Sequence, residues 1–135
     1  MKPQTASFLA AADRAIAHAT GNLSINIPDQ AARLAYYAQF HAAQAMIFER
    51  ENKIIKTHKG VSKEFHRLAK AESTFPPRFA AQLTAAYAYK EQADYDTDID
   101  EPITKAIAGE AIVTADRFVT IIRQALSHPP APPAP

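Results

Sequence analysis

The stretch from Arg33 to Phe48, Arg-Leu-Ala-Tyr-Tyr-Ala-Gln-Phe-His-Ala-Ala-Gln-Ala-Met-Ile-Phe, constrains the fold of this chain more than any other. Leu34, Tyr37, Ala38, His41, Ala45 and Phe48 recur at helical spacing as one apolar stripe. Tyr36, Phe40, Ala43 and Ile47 make a second stripe beside it. A helix that is apolar around most of its circumference belongs in the middle of a bundle. Its alanines let neighbouring backbones come close, while the tyrosines and His41 bring polar atoms that need partners.

The flanking sequence supplies the other helices. Phe8, Leu9, Ala12, Ile16 and Ala19 share one face of a first helix over residues 5–19, with Gly21-Asn22 as its stop. Leu23-Ser-Ile-Asn-Ile27 alternates apolar and polar, and a lone strand has no partner, so it reads as an extended connector whose Leu23, Ile25 and Ile27 plug the bundle's end. Pro28 opens the second helix, which runs to about Asn52. A basic turn, Lys53 to Gly60, leads into a short third helix with Thr57 as N-cap and Val61, Phe65, Leu68 and Ala69 facing inward. Pro76-Pro77 starts a fourth helix carrying Phe79, Leu83, Ala86, Tyr87 and Lys90. After the acidic loop Asp94 to Asp100, Asp100 and Pro102 begin the last helix, with Ile107, Ala111, Phe118, Ile122 and Ala125 in its stripe. These patterns predict an all-α, up-and-down bundle of four long helices and one short one over residues 1–128. Residues 129–135, Pro-Pro-Ala-Pro-Pro-Ala-Pro, read as a mobile proline-rich tail.

Composition narrows the chemistry. The chain has no cysteine, which removes disulfides, thiol nucleophiles and thiolate metal sites, and it suits a cytoplasmic location. No apolar run reaches the ~18 residues of a membrane span, and the N-terminus has no signal-peptide core. Basic and acidic residues balance at 15 and 14, so any attraction for anions must be local. Asp94, Asp96, Asp98 and Asp100 alternate as in a calcium loop, but Ile99 and Lys105 stand where an EF-hand needs glycine and glutamate. No phosphate-cradling glycine loop is present, and neither a metal nor a cofactor is expected.

Three motifs stand together in order: Arg33 with Tyr36-Tyr37-Ala38 and Phe40-His41-Ala-Ala43; Lys56-Thr-His-Lys-Gly-Val61 with Phe65; and Ala93-Asp94-Tyr95. Over residues 30–125 this combination resembles the HEPN family. The resemblance implies a helical bundle that commonly forms a homodimer. It also implies a toxin–antitoxin pairing with a minimal nucleotidyltransferase. Some family members are metal-independent ribonucleases with an arginine, four to six residues, and then a histidine.

Here the pair with that spacing is Arg123 and His128, at the junction of the last helix and the proline tail. Lys90 stands where this branch of the family usually has arginine. It keeps the charge but not the bidentate fork. The expectation is therefore a non-enzymatic module that binds a partner and a nucleotide or RNA, with a ribonuclease using Arg123 and His128 as the alternative. Lys56, His58, Lys59 and Lys90 are the expected anion-facing residues, supported by Tyr37, His41 and Asp94. Tyr37 is expected to hydrogen-bond His41, and Asp94 to bridge to Lys90 or to the basic turn.

Overall fold

The computed structural model describes residues 1–95 and 101–128. Five helices follow one another: α1 (Pro3–Ser24), α2 (Pro28–Glu51), α3 (His58–Ala69), α4 (Ala81–Tyr95) and α5 (Lys105–Leu126). No strand occurs among the described residues. The architecture is the expected helical bundle with one short helix.

Helix α2 is the axis and packs against each of the other four. Thirteen of its residues are buried, among them Tyr36, Phe40, Met46 and Ile47. Contacts at its ends give the directions of its neighbours. Lys2 at the start of α1 bonds Glu49 near the end of α2, so these helices run antiparallel. Arg33 near the start of α2 meets Asp94 at the end of α4, again antiparallel. Arg50 reaches the carbonyl of Ala125, so α2 and α5 run in the same direction. The four long helices therefore alternate up and down, and α3 crosses between α2 and α4. Phe65, Phe79 and Phe118 close the core where α3, the turn before α4 and α5 converge, with Phe79 and Phe118 stacked at 4.4 Å.

The boundaries differ from expectation at three places. Helix α1 runs through Gly21 to Ser24, because Leu23 packs on the cluster of Ala31, Ala32, Ile103 and Ala108 and holds one more turn. The left-handed residue is Asn26 (φ 62°), so 23–27 is a helix end and tight turn and not an extended connector. Ile25 and Ile27 are exposed and plug nothing. Helix α4 starts at Ala81 because Arg78 is left-handed (φ 62°) and interrupts the run from the prolines. Helix α5 starts after Thr104, whose hydroxyl accepts the Ile107 N–H at 3.1 Å, while Ile103 is buried ahead of it. Asp96, Asp98, Asp100 and the proline tail lie outside the described residues.

Candidate functional site

The motif residues meet where α2, the start of α3 and the second half of α4 come together. Thr57 caps α3 by accepting the Gly60 N–H at 3.1 Å, which sets His58 as the first helical residue. His58 then turns onto the aromatic edge of the core. Its Nδ1 lies 2.8 Å from the Tyr36 hydroxyl, and its ring lies flat on Tyr87 with centroids 3.5 Å apart. Tyr36 itself is buried and touches the rings of Tyr37, Phe40 and Tyr87.

Electrostatics follow from that packing. Burial pushes the Tyr36 phenol far above its ordinary value, with smaller contributions from Tyr37, Tyr87 and Glu91. Burial also lowers the His58 imidazole; Lys90 lowers it further and Glu91 opposes the shift. The Glu91 carboxylate beside Tyr87 raises that phenol. At neutral pH, His58 is therefore a neutral ring held by a phenol and a stack.

One helical turn further along α4 lies a charge cluster. Asp94 binds Arg33 Nε at 2.7 Å through Oδ1 and Lys90 Nζ at 3.0 Å through Oδ2. The Lys90 bond, together with that from Arg33, holds the Asp94 carboxyl below its usual range, and the same bond raises Lys90. Arg33 also lies 5.0 Å over the Tyr37 ring, and Lys90 lies over Tyr87 and Tyr95. Asp94 thus ties α4 to α2 and fixes Lys90 beside the His58 stack.

His41 has a different partner from the one expected. Its Nδ1 meets Gln44 Oε1 at 2.9 Å, and Gln44 Nε2 donates to the Ile55 carbonyl at 2.8 Å. The Tyr37 ring stands 6.4 Å away and makes no such bond. His41 therefore anchors the basic turn from below. Lys56 and Lys59 flank His58 and are exposed.

The structure brings His58, Lys90, Asp94 and Tyr37 into one neighbourhood and joins His41 to it through the turn. Arg123 and His128 belong elsewhere: Arg123 pairs with Asp13 of α1 at 2.7 Å, and His128 is exposed beyond the Ser127 cap. Tyr36, Tyr87 and Glu91 belong to the site without being among the residues expected there from the sequence. The spacing of Tyr87, Lys90, Glu91 and Asp94, which share one side of α4, was the available signal. Among the described residues no three His, Asp or Glu side chains form a metal-holding group.

The model of the HEPN domain matches residues 5–125. The chain belongs to the HEPN family. A relative from Methanocaldococcus jannaschii, named "Putative toxin MJ0605", is 37% identical to this HEPN chain over 94 residues. That match spans 70% of the chain and 67% of the relative. The fold is similar to the crystal structure of TT1696 from Thermus thermophilus, with a TM-score of 0.74 at 18% identity. The superposition covers 91% of the HEPN chain and 98% of TT1696. No helix among the described residues is long and apolar enough to cross a membrane.

Proposed function

We propose that this HEPN protein is a non-enzymatic module that binds a nucleotide or RNA together with a partner protein, as one half of a toxin–antitoxin pair with a minimal nucleotidyltransferase. The observation that carries this reading is the clamp of Tyr36 and Tyr87 on His58. It holds the opening of α3 in one geometry, with exposed Lys56 and Lys59 beside a helix start whose amides favour anions. Lys90, fixed by Asp94, adds a third cation near the ring. Tyr37 and His41 act in support, one beneath Arg33 and the other through Gln44. The name carried by the archaeal relative supports the toxin–antitoxin context.

The functional unit on this reading is a homodimer in the cytoplasm. Val113 of α5 is 60% exposed, which supports an α5 contact between copies. The engagement of Arg123 by Asp13 speaks against catalysis. So does a His128 left exposed at a helix end, since proton transfer needs a histidine held in place.

The test replaces both Lys56 and Lys59 with alanine. Binding to a short RNA weakens, the slope of log affinity against log salt falls by about one per lysine, and the melting temperature is nearly unchanged. Unfolding of the double variant would instead make the lysines structural. Incubation with structured RNA in excess chelator tests the ribonuclease alternative: cleavage abolished by His128→Ala would establish it.

A further inference from the structure

A second place on the molecule has the makings of a ligand site. The C-terminal end of α3 and the turn before α4 border an open cleft of about 360 Å³, within the ~300–1,000 Å³ range of small-ligand sites. Ala69, Phe75 and Pro76 form apolar walls, and His66, Lys70 and Arg78 add cationic and polar groups. Phe75 packs on Phe79 at 4.6 Å and is only half-buried, so part of its ring is left to the cleft. Glu72 also lines the cleft, but Arg50 neutralises its carboxylate with contacts at 3.1 and 3.2 Å. Among the described residues neither Lys70 nor Arg78 forms an ion pair. The cleft is therefore apolar within and net positive.

His66 adds directionality. Its Nδ1 lies 2.7 Å from the Ser62 carbonyl oxygen, which can only accept, so Nδ1 carries the proton. Nε2 is then the acceptor of the neutral ring. Arg78 holds a left-handed backbone (φ 62°) that a long side chain rarely adopts.

We propose that this cleft binds an unpaired nucleobase with its phosphate. The base lies against Phe75, the phosphate pairs with Arg78 and Lys70, and His66 Nε2 accepts from an amino group on the base edge. A partly exposed aromatic ring beside cations is the arrangement that takes single bases, because stacking and phosphate pairing act on adjoining parts of one ligand. An arginine fork suits phosphate oxygens better than a point charge does. The proposal takes its ligand class from the function proposed above and adds a second surface, independent of Lys56 and Lys59.

The probes are adenosine monophosphate, a short single-stranded oligoadenylate and phenyl phosphate, titrated into the full chain and followed by amide NMR. Adenosine monophosphate is expected to shift the signals of Phe75 and Arg78–Ala81. Phe75→Leu and Arg78→Gly should each weaken binding about tenfold. Arg78→Gly should also keep or raise the melting temperature, because glycine adopts φ 62° freely. Tighter binding of the oligonucleotide identifies a strand as the natural ligand, and equal binding a free nucleotide; both support the site. Several results overturn it: no shift in the cleft, variants that bind like wild type, or phenyl phosphate binding as well as the nucleotide. Cleft signals that move with protein concentration alone would assign the cleft to a second copy and equally overturn it. If only the Lys56→Ala/Lys59→Ala variant loses binding, the cleft is refuted and the proposed function stands. If only the cleft variants lose it, the lysine surface is the part that fails.

Discussion

His58 and Tyr87 lie face to face, with ring centroids 3.5 Å apart and planes within 8° of parallel. The pair fastens the first residue of α3 to the middle of α4, and the Tyr36 hydroxyl fastens the same imidazole to α2. Three helices therefore meet through one ring. Tyr36→Phe keeps the buried volume and removes only the hydrogen bond, so it should cost about 1 kcal/mol. Tyr87→Leu removes the stack and should lower stability as well. Chemical denaturation with an unchanged m-value is the check for both.

Acid should weaken the clamp. Burial favours the neutral imidazole, so the folded chain holds the His58 proton less tightly than the unfolded chain, where the ordinary value is 6.5. Between the folded pKa and 6.5 the unfolded state binds more protons, and stability rises with pH across that window. The contribution is complete above 6.5 and is lost as pH falls below it. NMR titration should place the His58 midpoint below 6.5, and His58→Gln should flatten the pH slope of the melting temperature in that range.

The Asp94 cluster responds at both extremes. Its carboxyl is held below the ordinary 3.8, so that share of stability is present above 3.8 and is lost as pH falls through the folded value. Lys90 is raised above 10.5, so its share is present below 10.5 and is lost as pH rises through the folded value. Asp94→Asn removes the charge that both cations use. With solvent reaching the side chains, the loss should be only about 0.2–1 kcal/mol and should shrink in high salt. Melting curves at low and high ionic strength measure this directly.

Gly60 admits no larger residue without a local shift. An added Cβ would lie 2.7 Å from Ile55 Cγ2 and 2.8 Å from Thr57 Oγ1. Thr57 cannot move away without losing the cap on α3. Gly60→Ala should therefore cost about 1–3 kcal/mol. Gly21 gives the contrast: it lies inside α1, a Cβ there meets nothing within 4 Å, and alanine should stabilise by about 0.5–1 kcal/mol. Thermal melts of the two single variants should move in opposite directions.

Local signals were legible and distant ones were not. Pro28 before an acidic residue and Thr57 three residues before Gly60 each report their own neighbourhood and appear in the fold. Of the two stripes of α2, that of Tyr36, Phe40, Ala43 and Ile47 is buried throughout, whereas Leu34, Tyr37, His41 and Phe48 of the other are only partly covered because the neighbouring helices dock to one side of them. The Lys90–Asp94 pair was readable as neighbouring turns of one helix. The Arg33–Asp94 bond spans 61 positions and depends on how α2 and α4 dock, which no local pattern encodes. Tyr36 and Tyr37 are adjacent, and only the position of α3 decides which one faces His58. Arg78 gave no warning either, because arginine carries no preference for the left-handed conformation it takes.

The central position of α2 has a consequence for how the molecule opens. Each other helix buries its inner face partly against α2, so a cut after Asn52 leaves α3, α4 and α5 without a common wall. Partial unfolding can release α3 or the chain ends, but it cannot expose Ala35 to Ile47 without dissolving every neighbour. Amide protons across that segment should exchange only through global unfolding, which makes their exchange rates a direct gauge of total stability. A ligand that engages the surface of α3 and α4 then raises that gauge by mass action, even though it touches none of those amides.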